Sequence, residues 1–293
     1  FGVTDVPDQL IARIAADSKY WLWINDQLVI FEGGLKRAPS PSGTYYDPVD
    51  IAPYLTKGSN TIAILLWHFG KDGFSHINSG KAALLFEAIA PGLEIVSDAS
   101  WQCALYEAYQ NTEAPFPNYR MPESNIRFDA RQAITNWNRT SFEGSLPGAV
   151  CVGKAGKAPF GELVERPIPQ WKNSGLLSYV SVRESLRGDT LFCRLPYNAQ
   201  ITPYLKVEAE AGKTIHIRMD NYEGGSERNV RAEYITHEGE QEYESYGWMN
   251  GHEVYYIIPE GVKVLDVKYR ETGYNTDLAG SFHCDDPFYD ELW

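Results

Sequence analysis

The sequence predicts an all-β protein made of two β-sandwiches in tandem, followed by the start of a helix. Two series of short apolar runs, each run bounded by turn residues, flank a segment that lacks periodicity. The aromatic share is 13 %, with 19 Tyr and 8 Trp. Such side chains suit pleated sheets and also sugar-facing surfaces. The pattern therefore favours a β fold and leaves carbohydrate binding open.

The first series covers residues 1–109 and predicts a jelly-roll-like sandwich. Asn25-Asp26 predicts a tight hairpin turn, and the Pro-Ser-Pro-Ser-Gly run after Ala38 predicts a long loop. A short helical turn is expected within DPVDIAPYL. A jelly roll that began at Phe1 would be short of strands. The predicted strands lie in LIARIAADSKYWLWIND, QLVIFEGG, NTIAILLWHFG, KAALLFEAIA and EIVSDASWQCALYEAY.

Residues 110–175 predict a connector packed on both sandwiches, because they are rich in Pro, Asn and Gly and contain one strand-like run, NIRFDAR. Residues 176–284 predict the second sandwich. Turn signals such as Glu223-Gly224-Gly225 and Pro259-Glu260-Gly261 separate its strands at sandwich-like spacing. These strands are LLSYVSV, TLFCRL, YLKVEAE, KTIHIRMDN, AEYITHEG, QEYESYG, HEVYYIIP and VKVLDVKYRE.

Residues 285–293 predict one turn of a helix. The Asp285-Asp286-Pro287 step offers an N-cap carboxylate and a proline suited to the first helical turn. Phe288, Leu292 and Trp293 follow at helical spacing. A helix this short is not stable alone, so the sequence predicts that a helical domain follows.

Composition and charge exclude several kinds of partner. The formal net charge of −13 argues against nucleic acid and anionic membranes, which need clustered Lys and Arg. No apolar run approaches the roughly 18 residues of a membrane span, so we expect a soluble protein. Phe1 to Asp5 lacks the features of a signal peptide, and the absence of Met predicts a processed or truncated N-terminus. The compartment stays open.

The four cysteines are Cys103, Cys151, Cys193 and Cys284, and they form no CxxC pair. Free buried thiols are favoured over disulfides, because unpaired cysteine is commonly a core residue. No histidine lies at zinc-ligand spacing from them. The sequence therefore predicts no metal and no cofactor.

The segment Tyr246–His252 is the most unusual local feature, and it predicts a hairpin whose tip meets a sugar. The Trp248 ring would stack on the C–H face of a pyranose, while Asn250 and His252 would hydrogen-bond its hydroxyls. Packing between domains is nevertheless the favoured interpretation of this segment, because aromatic-rich turns commonly fill such interfaces.

A second candidate group is Trp67, His68 and His76, in the run WHFGKDGFSH after a strand end. Two histidines without further ligands indicate a metal only weakly. Elsewhere, Trp21 and Trp23 share one face of a strand. Burial of that face is expected, with a sugar-stacking platform as the alternative. Arg270-Glu271 similarly predicts an interface ion pair, with ligand contact as the alternative.

No catalytic residue is predicted in this chain. Nucleophile elbows, Walker loops, dinucleotide fingerprints and zinc helices are absent from the sequence. A glycosidase needs two carboxyl groups facing each other across a cleft, and Glu233, Glu242, Glu244 and Asp285 are conceivable. With 39 acidic residues, a solvated surface is the expected place for such side chains.

Three long phrases near the C-terminus carry a resemblance to a known family. They are RAEYITHEGEQEYESYGWMNGHEVYY, GVKVLDVKYRETGYNTDLAGSF and CDDPFYDELW, and upstream FDARQAITNW and PFGELVERPIP agree with them. From about Ala16 onward, and most specifically from Arg231 to Trp293, the chain resembles the region before the catalytic barrel in bacterial α-L-rhamnosidases of glycoside hydrolase family 78.

The resemblance implies a galactose-binding-like sandwich, a concanavalin-like sandwich and then an (α/α)6 barrel that removes terminal α-linked L-rhamnose with inversion. The barrel's acidic motif, Asp-Cys-Pro-Asp-Arg-Glu-Arg, has no counterpart here. The expected partners are therefore a rhamnose-containing glycan or glycoside and a catalytic barrel in cis, within a periplasmic or cytoplasmic bacterial enzyme. The alternatives are a carbohydrate-binding module and a structural scaffold without activity of its own.

Overall fold

A computed structural model describes residues 1–34, 40, 42–73, 76–112, 114, 125–220, 230–276 and 279–292. The chain is nearly all β, with 48 % of residues in strands and 5 % in helices, which confirms the predicted fold class. The predicted turn at Glu223-Gly224-Gly225 and the helical position of Trp293 lie outside the described residues, as do Pro39 and Pro41 of the loop expected after Ala38.

The first unit packs a five-stranded sheet on a three-stranded sheet. The order of the larger sheet is β12-β5-β2-β8-β9, and the order of the smaller is β4-β3-β7. A separate short pair joins β1 to β6. The strands of this unit are β1 (Gly2–Val3), β2 (Ile11–Asp17), β3 (Lys19–Ile24), β4 (Gln27–Gly34), β5 (Gly43–Asp50), β6 (Gly58–Ser59), β7 (Ile62–Trp67), β8 (Ala83–Ala90), β9 (Leu93–Val96) and β12 (Glu162–Glu165).

The core of the first unit lies between these two sheets. Ile14 on β2, Leu22 on β3 and Phe86 on β8 are among its buried residues. The predicted hairpin turn joins β3 to β4, with φ of 47° at Asn25 and 71° at Asp26. Positive φ at both central positions is what the right-handed twist of a tight hairpin requires. The predicted helical turn is also present, as a 3₁₀ helix at Ala52–Tyr54.

The second unit is a nine-stranded sheet that curls around its own core. Its main path is β10-β11-β16-β15-β18-β14-β13, and β17 and β19 both pair with β14. Tyr234, Tyr256 and Leu205 are buried inside it. The strands are β10 (Tyr109–Asn111), β11 (Ile126–Asp129), β13 (Ser181–Glu184), β14 (Thr190–Ala209), β15 (Thr214–Met219), β16 (Ala232–Ile235), β17 (Gly239–Glu244), β18 (Met249–Ile257) and β19 (Lys263–Glu271).

Strand β14 differs from the prediction, because TLFCRL and YLKVEAE belong to one strand of 20 residues. Its first part pairs with β18, and the register shifts between Arg194 and Ala199. Its later part lies between β17 and β19. This register shift is a β-bulge, which bends β14 so that its two parts pair with different strands of the curled sheet without ending the strand. This bend closes the core of the second unit.

Segment 110–175 contributes strands to both units. The predicted strand NIRFDAR forms β11, which pairs in parallel with β16 of the second unit. Strand β12 pairs in parallel with β5 of the first unit. The chain therefore passes from the first unit to the second, returns at β12 and then completes the second unit.

The C-terminal helix α1 covers Pro287–Leu292. The Asp286 carboxylate accepts a hydrogen bond from the Phe288 backbone N–H at 3.0 Å, which agrees with the predicted acidic cap. Phe288 and Leu292 are 64 % and 71 % exposed. The apolar side chains of this helix therefore have little cover from the described residues.

Candidate functional site

The two units meet through aromatic side chains. Trp21, Trp23 and Phe31 lie buried on the face of the three-stranded sheet that points away from the sandwich core. Tyr246, in the segment between β17 and β18, packs against them, with its ring centroid 4.7 Å from that of Trp21 and 6.2 Å from that of Phe31. Trp137 adds an edge-to-face contact to Trp23 at 5.2 Å. We call these five residues the aromatic interface.

Both faces of β3 are therefore buried. Tyr20 and Leu22 face the core of the sandwich, while Trp21 and Trp23 face the second unit. A sugar-stacking platform at the two tryptophans would need open rings, and Trp21 has no exposed surface. Trp21 and Trp23 are buried, as the sequence predicts, and the second unit is what covers them.

Arg270 forms a buried ion pair beside the aromatic interface. Its Nε and Nη2 donate to the two carboxylate oxygens of Glu244 at 2.7 and 3.0 Å, and Nη1 donates to Asn173 at 2.7 Å. The guanidinium carbon lies 4.8 Å from the centroid of the Phe31 ring in the first unit. The predicted interface ion pair is thus made with Glu244. Glu271 instead accepts a hydrogen bond from the Tyr197 hydroxyl at 2.8 Å.

Trp248, Asn250 and His252 do not form a hairpin tip. Residues 249–252 belong to β18, and only residues 245–248 connect it to β17. Because β18 is paired over this stretch with β14, Gly251 lies within the strand and makes no turn, while Gly247 lies in the connection before it. Asn250 and His252 alternate with the buried residues Met249 and Gly251, so they share the more exposed face.

The environment of these three side chains is polar and partly open. The His252 side chain is 59 % exposed, and its Nδ1 lies 3.5 Å from a carboxylate oxygen of Asp220. Asn250 lies opposite Gln200 in the strand pairing. Trp248 is half-buried. Asn250 and His252 therefore stand on a strand, and Trp248 lies in the connection directly before it.

Trp67, His68 and His76 lie together in the first unit. Trp67 stacks on Trp21 with centroids 6.4 Å apart, and the buried Lys19 Nζ lies 4.8 Å from its ring. The His76 Nε2 is 3.2 Å from the Ser18 hydroxyl and 3.4 Å from an Asp17 carboxylate oxygen, and His76 is only 3 % exposed.

Asp17 is the centre on which both histidines converge. His68 Nδ1 lies 3.2 Å from the Asp17 backbone carbonyl oxygen and 3.7 Å from its carboxylate. Burial alone would raise the pKa of Asp17, but hydrogen bonds from His76, Ser79 and Ser18 outweigh it and hold that pKa well below its usual value. The carboxylate is therefore charged and fully engaged inside the protein.

Neither group of histidines indicates a metal centre. Among the described residues, no set of three or more His, Cys, Asp or Glu side chains is arranged to hold an ion. The two predicted groups also stay apart, since one surrounds Asp17 in the first unit and the other lies on β18 in the second.

The four conceivable glycosidase carboxylates are dispersed. Glu233 is shared by Arg127 and Arg231, each at 2.8 Å. Glu244 is held by Arg270, and Glu242 accepts from the Tyr204 hydroxyl at 2.7 Å. Asp285 is exposed just before α1. Three of the four thus have structural partners on the second unit.

All four cysteines are free, as expected. The expected burial holds for Cys193, where burial raises the pKa of the thiol to about 12. It is wrong for Cys103 and Cys151, which are exposed. These two lie in stretches without regular strands, where no sheet face covers a side chain.

Comparison with solved structures identifies the fold. The structure aligns over 100 % of its length with a GH78 family rhamnosidase of Bacillus sp. GL1, at a TM-score of 0.85 and 15 % identity. The chain shares the fold of one part of this rhamnosidase. An α-L-rhamnosidase from Dictyoglumus thermophilum aligns at 0.70 with 19 % identity, and one from Streptomyces avermitilis, complexed with L-rhamnose, at 0.70 with 17 %.

The shared fold is only part of these rhamnosidases. The chain spans 54 % of the Bacillus protein, 33 % of the Dictyoglumus protein and 30 % of the Streptomyces protein. No protein-family model matches the sequence. No curated relative matches it either. In the described part of the chain, no helix is both long and apolar enough to cross a membrane.

Proposed function

We propose that this chain is the non-catalytic β region of an α-L-rhamnosidase that hydrolyses terminal α-L-rhamnosyl linkages with inversion. The observation that carries the proposal is the alignment of the whole chain, at a TM-score of 0.85, with about half of a GH78 family rhamnosidase. In this role the two units support a helical catalytic barrel in the same polypeptide and help to shape its substrate cleft.

The division of the chain follows from the same proposal. Residues 1–109 form the first sandwich, residues 110–175 the connector, residues 176–284 the second sandwich, and residues 285–293 the first turn of the barrel. The strands that segment 110–175 lends to both units support its role as a connector. The exposed apolar side chains of α1 support a role in contact with further protein.

Inverting hydrolysis needs one carboxyl group to protonate the leaving oxygen and another to activate water on the opposite face of the sugar. The proposal assigns both to the barrel. In support, Glu233, Glu242 and Glu244 are each bonded to an arginine or tyrosine side chain within the second unit.

The test is an assay of an aryl α-L-rhamnoside with the whole gene product and with residues 1–293 alone. We expect hydrolysis by the whole product, with the β-anomer of rhamnose formed first in a proton NMR time course, and no hydrolysis by the chain alone. An aryl β-D-glucoside serves as the control substrate. Activity of residues 1–293 would contradict the placement of both carboxyl groups, and no activity in the whole product would contradict the parent enzyme.

The alternative is a carbohydrate-binding module, and one observation favours it. Asn250 and His252 share the open face of β18, and Trp248 lies directly before that strand. Titration of residues 1–293 with L-rhamnose, followed by Trp fluorescence, tests this alternative. Saturable binding that His252→Ala weakens would support it, and a flat response would remove it.

A further inference from the structure

The outer face of the nine-stranded sheet carries a row of arginine and aromatic side chains that the proposed function does not use. The strand register places Arg218 of β15 opposite Tyr255 of β18. Tyr255 lies opposite Phe192 of β14, which in turn lies opposite Arg183 of β13. Residues directly opposite each other in antiparallel strands project to the same face. Arg194, two positions after Phe192, joins them, and we call these five residues the arginine–aromatic surface.

This surface points away from the core. The residues that alternate with it, including Ile217, Cys193 and Val254, are buried in the core of the second unit. The side chains of Arg183, Arg194 and Arg218 are exposed, while Phe192 and Tyr255 are half-buried. The aromatic rings therefore form a firm base from which the guanidinium groups reach solvent.

The geometry of the row is fixed by contacts among its members. The Phe192 and Tyr255 rings meet edge to face, with centroids 5.2 Å apart. The Arg183 guanidinium carbon lies 5.1 Å from the centroid of the Phe192 ring, and its Nη2 donates to Glu253 at 3.0 Å. Preorganised side chains lose less conformational entropy when a ligand binds.

Arginines outnumber the acidic side chains that the register places among them, since only Glu253, opposite Arg194, lies between them and it pairs with Arg183. The protein carries a formal net charge of −13, yet three arginines stand on this one surface. Within the described residues, neither Arg194 nor Arg218 forms an ion pair. The surface therefore offers at least two guanidinium groups to a partner.

The neighbouring His216 precedes Arg218 by two positions on β15 and shares its face of the sheet. Burial lowers the pKa of His216, Glu233 raises it, and Arg231, Arg218 and Arg127 lower it further. Burial is the largest of these causes, so the lowered pKa of His216 reflects mainly its desolvation. An anionic ligand would be attracted to this side of the sheet.

We infer that the arginine–aromatic surface binds a carboxylate-bearing oligosaccharide of uronic acid residues. Guanidinium forks match carboxylates in geometry, and aromatic rings pack against the C–H faces of sugars. Arg218 and Arg183 stand three strand spacings apart, about 14 Å, which favours an oligosaccharide over a single sugar. The choice of a glycan over another polyanion rests on the proposed function.

The test is isothermal titration of residues 1–293 with tetragalacturonate and with its methyl ester. We expect binding of the free acid that weakens with added salt, and no binding of the ester. The double substitution Arg194→Ala with Arg218→Ala should weaken binding by at least about tenfold, since each removes a charge-assisted contact. Arg13→Ala, at an exposed arginine of the first unit, should leave it unchanged.

Both arginines are exposed, so the double variant should keep the thermal midpoint of the parent, which separates loss of binding from loss of fold. Equal affinity of the parent and the double variant would overturn the inference, as would no binding by the parent. Tighter binding of a single-stranded DNA of the same charge than of tetragalacturonate would also overturn the inference, because the ligand would then be a nucleic acid and not a glycan. The titration measures uronate binding and not the hydrolysis of an aryl rhamnoside. Failure of this inference is therefore distinguishable from failure of the proposed function.

Discussion

At the residue scale, Asp17 joins the segment after β7 to the first unit. Its carboxylate accepts a hydrogen bond from the Ser79 backbone N–H at 2.6 Å, and the adjacent Ser18 hydroxyl accepts one from the Phe69 N–H at 3.0 Å. His76 contacts both side chains from within the same segment. One buried carboxylate and its neighbouring hydroxyl thus hold residues 69–79 at both ends.

Replacement of Asp17 by Asn should destabilise the protein in a pH-dependent way. The pKa of Asp17 in the fold lies below its ordinary 3.8, so the ionised group stabilises the fold above about pH 4, and this contribution is lost as the pH falls toward the folded value. We expect a loss of about 2 kcal/mol at pH 7 and a smaller loss at pH 3. Urea unfolding of both proteins at pH 7, 5 and 3 measures it.

Asp98→Asn is the matched control. Asp98 accepts hydrogen bonds from Ser100, which lower its pKa, but it lies on the surface. Its replacement should change the unfolding free energy much less at every pH. A loss at Asp17 that stays the same from pH 7 to pH 3 would show that its charge is not what stabilises the fold.

The sequence identified these histidines but not their partner. Trp67, His68 and His76 stand out locally as an aromatic and imidazole cluster after a strand. The interaction that decides their role is with Asp17, which is 51 residues before His68. Local spacing carries no information on such a contact, so a ligand site and a buried network look alike in the sequence.

At the element scale, β12 is attached to the first unit at both of its ends. The Thr44 hydroxyl of β5 donates to the Phe160 carbonyl oxygen at 2.7 Å, just before β12. Just after β12, the buried Arg166 lies 2.6 Å from the Asp47 carboxylate. Between these contacts the two strands run in parallel register from Gly43 opposite Glu162.

Gly161→Ala should disturb this attachment. Gly161 has φ of 66°, and a Cβ there would overlap the Ser42 carbonyl oxygen. Strain at positive φ and a backbone clash add together, so we expect a loss of about 3 kcal/mol. Equilibrium urea unfolding measures the loss, and limited proteolysis near residue 161 should become faster.

Gly156→Ala separates the two causes. Gly156 has φ of 74° but open space around its Cβ position, so only the strain remains. Its loss should be about 1 kcal/mol. Equal losses of unfolding free energy at the two glycines would mean that the clash of the new Cβ with the Ser42 carbonyl oxygen costs nothing.

The sequence did not predict β12 as a strand. Segment 110–175 lacks periodicity, and a strand of four residues at a sheet edge needs little apolar alternation. Its half-buried residues, Leu163 and Val164, are adjacent and do not alternate with exposed ones. The longer strand β8 is an apolar run of eight residues interrupted only by Glu87, and the sequence predicts it as a strand.

At the scale of the whole molecule, aromatic and cation–π contacts join the two units. Tyr246 from the second unit packs on Trp21 and Phe31 from the first. The guanidinium carbon of Arg270, which is paired with Glu244, lies 4.8 Å from the centroid of the Phe31 ring. The sequence predicted two sandwiches, and it offered interdomain packing as one interpretation of the Tyr246 segment. It could not show which aromatic residues would meet.

Tyr246→Ala should uncouple the two units. Removal of the ring leaves a cavity beside Trp21 and costs about 3 kcal/mol, as for other large-to-small aromatic substitutions. We expect one unfolding transition in the parent and two in the variant, when Trp fluorescence and far-UV circular dichroism are followed in urea. Tyr246→Phe keeps the ring and should retain one transition. Coincident curves in Tyr246→Ala would contradict the coupling.

Strand β12 also bears on the time at which the protein can fold during synthesis. Tyr46 of β5 leaves the ribosome 119 residues before Glu165 of its partner strand. Arg127 of β11 similarly precedes Glu233 of β16 by 106 residues. At the usual speed of translation, each edge waits on the order of ten seconds for its partner. A nascent chain with two open strand edges is a natural client for a chaperone at the ribosome.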